Sequence, residues 1–164
     1  MALIILIGIF LAPIILLEVL KVNSVIAYLA LCLGAITSEY VDNNPIVKHF
    51  IVTNQYINHI SYLNNLKLLL LLVPLVLVIV LMMKTVKGGI SINLLGSICV
   101  GVLLAYLLVP ILPSYMNSEI LSNKYWIDLS QQQSNVIGVS SLLILFLLLS
   151  YRKKFSHKAS KHKK

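Results

Sequence analysis

Charge is scarce in this chain. Of its 164 residues only 11% are Asp, Glu, Lys or Arg, and the acids number five. A soluble domain carries about 25% charged and roughly 45–50% apolar residues. Here 59% are hydrophobic and the mean hydropathy is +0.96. That balance excludes a soluble globular enzyme and, outside the C-terminal tail, it excludes disorder. Catalytic signatures are missing as well. There is no G-x-S-x-G, phosphate loop, dinucleotide fingerprint or H-E-x-x-H. The only cysteines, Cys32 and Cys99, form no C-x-x-C pair and read as small hydrophobes. His49 and His59 stand too far apart to share a metal as an i,i+4 pair does. No carboxylate or histidine falls in the middle of an apolar run, so the usual groups of a proton relay are lacking. The expectation is a protein without catalytic residues, metal or cofactor.

What the chain does have is long apolar runs. Residues 2–17, 22–38, 68–83, 88–118 and 129–151 contain no charge. A bilayer core about 30 Å thick needs ~20 helical residues, and lysines at the flanks can snorkel to the headgroups to extend a shorter run. The runs lack the alternation of a barrel strand. The sequence therefore predicts an all-α, polytopic transmembrane helical bundle of about five spans, near 2–20, 22–38, 66–84, 90–112 and 132–151. These make one domain, 1–151, followed by a basic tail, 152–164. Only residues 18–24 separate the first two runs, which predicts a tight hairpin; re-entry without crossing is the competing reading. The first run has no basic n-region and no suitable cleavage site, so it reads as retained rather than as a signal peptide. Pro13 and Pro74 fall inside spans, where lipid tolerates them as kinks.

Basic residues are unevenly placed. With all five runs crossing, one side of the membrane collects Lys21, Lys84, Lys87 and the tail residues Arg152, Lys153, Lys154, Lys158, Lys161, Lys163 and Lys164. The other side holds Lys48, Lys67 and Lys124. Lys and Arg concentrate in cytoplasmic loops. The bias predicts a cytoplasmic C-terminus and an outer N-terminus; the expected residence is a bacterial plasma membrane. Glu18 lies three residues from Lys21, a spacing that pairs them on one helix face.

Two outer loops follow from this topology. In residues 39–67, Asn44 fits an N-cap and Pro45 a first helical position. Ile46, Phe50, Ile57, Ile60 and Leu63 then recur at helical spacing, opposite Lys48, Asn54, Gln55, Asn58 and Asn65. That pattern suits an amphipathic helix in the interface, or equally a cap folded onto the bundle. The second loop, 113–131, holds Tyr115, Tyr125 and Trp126, which read as anchors at headgroup depth ahead of an aromatic ligand platform.

Small residues supply the packing signal. Ala30, Gly34 and Ser38 recur every four residues, as do Ser97, Gly101 and Ala105; Ser134 and Gly138 repeat the spacing. Such rows let helix backbones approach closely in lipid, and Asn93 can add an interhelical hydrogen bond. The tail reads first as a topological anchor, then as a site of attraction to anionic lipid; nucleic acid is not expected there.

Asn93-Leu94-Leu95-Gly96, followed by Gly101 and preceded by a basic link and a leucine-rich span, loosely resembles the colicin V production membrane family. The likeness covers little more than a dozen residues. The Gly/Arg-rich stretch such proteins carry after their first span is replaced by Glu18-Val19-Leu20-Lys21, and the resemblance implies no functional residues here.

The expectation is a small integral membrane protein with a non-enzymatic assembly or accessory role, whose partners are the bilayer and a second copy or a larger membrane complex. The rival is an oligomeric pore or carrier for a neutral or apolar solute. A solvent-lined groove of Asn93, Ser97 and Ser140 favours the rival; a dry bundle favours assembly.

Overall fold

In lipid every backbone N–H and C=O must be satisfied within its own segment, so uninterrupted apolar runs become helices. The computed structural model describes residues 2–45, 47, 49, 59–83 and 90–161, with backbone alone at 2, 42, 59–62, 90–92, 114–116 and 151–161. The described residues form the α-helices α1 (Ala2–Val19), α2 (Ser24–Asn43), α3 (His59–Leu81), α4 (Ile90–Leu108), α5 (Ser114–Leu121), α6 (Lys124–Gln131) and α7 (Gln133–Lys161). A 3-10 turn, Val109–Ile111, follows α4, and Pro110 sits where it can start such a turn but not continue a helix. There is no strand among the described residues.

Four helices are long and apolar enough to cross a membrane, through Ser24–Val41, Leu63–Leu81, Asn93–Ile111 and Gln133–Ser150. The first expected span is a shorter apolar helix. Its apolar stretch is Leu3–Val19, which at 1.5 Å per residue extends about 26 Å, less than the bilayer core. The chain turns at Leu20 and Lys21.

That turn has a clear local cause. The Val22 N–H donates to the Leu17 carbonyl at 3.0 Å and the Lys21 N–H to the Glu18 carbonyl at 3.3 Å. This bond pair is a Schellman motif, with Lys21 in the left-handed position at φ 53°. Leu17 and Val22, the two residues such a motif brings together, are both fully buried. One residue on, the Asn23 side chain accepts from the Val25 N–H at 3.0 Å and starts α2.

α4 is the centre of the bundle, with α1, α2 and α7 packed on it; α3 packs mainly on α2. α4 runs antiparallel to α1, since Gly101 meets Phe10 and Ile14 while Ser97 and Asn93 meet Glu18. Leu31, Leu71, Val100 and Leu103 fill the main core. Over half of the α4 window is buried, against 11% for α3 and 17% for α7. The outer helices therefore present most of their apolar surface outward.

A smaller core closes the end of the bundle remote from Glu18. There Tyr106 and Val109 pack against Ile120 of α5 and Trp126 of α6. Trp126 and Tyr106 rings lie 5.8 Å apart at 48°. Trp126 is thus buried in protein rather than set outward as an interface anchor; its neighbour Tyr125 is the exposed ring. The amphipathic face of α6 turns one aromatic in and the next out.

Other boundaries differ from those the sequence suggests. Asn44 closes α2 rather than opening a new helix: its N–H donates to the Tyr40 carbonyl at 3.0 Å and its Nδ2 to the Tyr40 hydroxyl at 2.7 Å. α3 begins at His59, so α2 and α3 take both ends of the expected 39–67 loop. Most of the remainder, including Asn54 and Gln55, lies outside the described residues. The 113–131 loop is two short helices. The tail is no separate segment either, because α7 continues through Lys161.

Candidate functional site

The polar groups of the bundle gather at the α1–α2 turn. Glu18 stands on the last turn of α1, Ser24 on the first of α2, and Asn93 and Ser97 one turn apart on α4. Asn93 Nδ2 donates to Glu18 Oε1 at 2.8 Å, and Ser97 Oγ donates to the same oxygen at 2.9 Å. Asn93 Oδ1 accepts from the Ser24 backbone N–H at 3.0 Å. One amide thus ties the end of α1 to the start of α2. Ser97 Oγ also lies 3.0 Å from the Asn93 carbonyl oxygen of its own helix.

Burial makes these bonds consequential. Asn93 is 1% exposed, Ser24 and Ser97 are fully buried, and Glu18 is half-buried. Glu18 does not pair with Lys21. Lys21 has left the helix at the Schellman turn and is exposed, so the i,i+3 geometry no longer exists. Among the described residues Glu18 is met by neutral donors alone.

Gly96 lets the site close. A Cβ there would collide with Ser24 Oγ and stand 2.9 Å from Ser24 Cβ. The α2 start therefore presses directly on the α4 backbone between Asn93 and Ser97. In that position Ser24 Oγ is buried and has no hydrogen-bond partner.

The small-residue rows serve different neighbours. A Cβ at Gly34 would lie 2.5 Å from the Leu71 carbonyl oxygen, so this glycine seats α2 on α3. A Cβ at Gly101 would lie 2.6 Å from the Phe10 carbonyl oxygen, so that one seats α4 on α1. Ala30 and Ala105 are buried. Ser38 is half-buried and returns its hydroxyl to the Ala35 carbonyl at 2.8 Å. Gly138 is exposed, and a Cβ there would meet nothing within 4 Å. α7 docks through Ile144 and Leu147, buried in the main core, and through its serines: Tyr28 and Ser141 hydroxyls are 2.9 Å apart, and Ser140 is buried.

Cys32 and Cys99 are both free thiols. No cluster of three or more His, Cys, Asp or Glu occurs among the described residues. Lys84 and Lys87 lie outside the described residues. Arg152, Lys153 and Lys154 stand on the helical continuation of α7.

Reading the sequence alone misses Ser24 and misdirects Glu18. The available signal was Asn93 and Ser97 at i,i+4, which puts two polar groups on one face of an apolar helix. With acids only at span ends and in loops, that face marks a polar contact, but not which helix makes it.

No protein-family model matches the chain, and no curated protein or solved structure matches it. The likeness of 93–101 to the colicin V production family gains no support from that comparison.

Proposed function

We propose that this chain is a non-enzymatic assembly or accessory component of a bacterial plasma membrane, with its C-terminus inside and its N-terminus outside. The observation that carries the reading is where the polar groups go. Asn93, Ser97 and Ser140 are buried between helices rather than lining a groove, which favours the assembly reading over a pore. Meanwhile α3 and α7 leave apolar faces uncovered along Val73, Val76, Leu77 and Val80, and along Leu142, Leu145 and Phe146. Lipid covers such faces in a lone bundle. A second copy or a larger complex covers part of them in an assembly.

Single cysteines at Leu77 and Leu142, in a chain with Cys32 and Cys99 replaced by alanine, test this in native membranes. Cross-linking by a short bifunctional reagent at one of these faces, into a product of discrete size, supports assembly. If no such product forms and purified protein in liposomes passes a small neutral solute, the pore reading takes its place.

A further inference from the structure

We propose that Glu18, Ser24 and Ser97 hold one small monovalent cation of sodium size between the α1–α2 turn and the first turns of α4. An ionisable side chain within a membrane bundle is expensive unless its charge is compensated. Among the described residues Glu18 has no basic partner, and its donors Asn93 and Ser97 are neutral. One carboxylate and one monovalent ion make a neutral pair. A divalent ion would leave a net positive charge, and sites for such ions recruit several carboxylates.

Ser97 Oγ and Asn93 Nδ2 share Glu18 Oε1, and Ser24 Oγ lies against Gly96 on the same turn of α4. Ser97 Oγ is 2.9 Å from Glu18 Oε1, near enough for both to face one ion. Its hydrogen has a second acceptor, the Asn93 carbonyl oxygen at 3.0 Å. When the hydroxyl turns to that carbonyl, its lone pairs are free for a cation. Ser24 Oγ gives independent evidence. It is fully buried, has no hydrogen-bond partner, and lies against Gly96 on the α4 face between Asn93 and Ser97. A buried hydroxyl without a partner costs stability. As an ion ligand it acquires one. Asn93 holds the two sides in register, bonding Glu18 with one end of its amide and the Ser24 N–H with the other.

This inference goes beyond the assembly reading and does not depend on it. The full chain in lipid nanodiscs is unfolded thermally in sodium chloride and in choline chloride of equal ionic strength. At about a tenfold excess of sodium over its dissociation constant, Tm should rise by roughly 3–6 °C above the choline value. Equilibrium binding of radioactive sodium should approach one ion per chain. Glu18→Gln keeps the hydrogen-bond acceptor and removes the charge, so both signals should vanish. Ser24→Ala separates binding from folding. It deletes an oxygen that no protein group uses, so Tm in choline should hold or rise while sodium affinity falls several-fold. Equal Tm for the unaltered chain in the two salts overturns the proposal, and then the compensating charge belongs to the chain itself. An undiminished sodium response in Glu18→Gln or in Ser24→Ala overturns it too.

Discussion

Asn93 and Glu18 stand 75 residues apart in sequence, and Asn93 Nδ2 reaches Glu18 Oε1 at 2.8 Å. The same amide receives the Ser24 N–H, so one side chain holds the hairpin against α4. Asn93→Leu removes both bonds and leaves the Ser24 N–H and a carboxylate short of partners. The expected loss is about 1–3 kcal/mol, the cost of stranding buried polar groups. Helical signal followed through a denaturing-detergent titration measures it. Stability equal to that of the unaltered chain would show that the amide is dispensable.

Two glycines give a matched pair. Gly101→Leu forces a side chain into the Phe10 carbonyl and should cost about 1–3 kcal/mol, the usual range for overpacking. Gly138→Leu points into open space and should change stability little. Four-residue spacing does not distinguish these positions; neighbouring backbone does. The same titration decides, and equal losses for the two variants would contradict the α1–α4 contact.

The hairpin turn carries a removable strain. Lys21 is left-handed at φ 53°, a region that costs an L-residue with a Cβ roughly 1 kcal/mol and glycine almost nothing. Lys21→Gly should therefore stabilise the bundle by up to about 1 kcal/mol, since the backbone bond to Glu18 is kept and the exposed lysine side chain makes no bond among the described residues. A loss of stability instead would assign the lysine a contact of its own.

Orientation is tested separately from packing. A reporter active only in the cytoplasm, fused after Lys164, should be active. A single cysteine at Asn54 should react with an impermeant reagent on intact cells. Removing residues 155–164 leaves Arg152, Lys153 and Lys154 beside the last span and should not invert the protein. Labelling at Asn54 only after lysis would reverse the proposed topology.

Much of the architecture is legible in the residue order, because the constraints are local. Lipid forces each apolar run to bond its own backbone, so run length alone announces helices. Even so, run length does not announce that Ala2–Val19 is shorter than the four long apolar helices. The Schellman turn that ends it depends on Leu17 and Val22 meeting, and no glycine marks the spot. Trp126 takes a buried place for a related reason. Aromatic character suits both headgroups and a protein core, and only the position of Tyr106 selects the second.

By itself, then, the sequence determined the solvent and the secondary structure: an apolar chain with sparse charge must be helical in lipid, and its basic links group by number. Tertiary structure decided which polar groups meet. Glu18, Ser24, Asn93 and Ser97 sit on three helices, and nothing in their spacing states that α4 lies across the α1–α2 turn. That contact requires Gly96 and Gly101 to admit neighbouring elements at close range. Such a fit is a property of surfaces in three dimensions, whereas helix formation needs only neighbours along the chain.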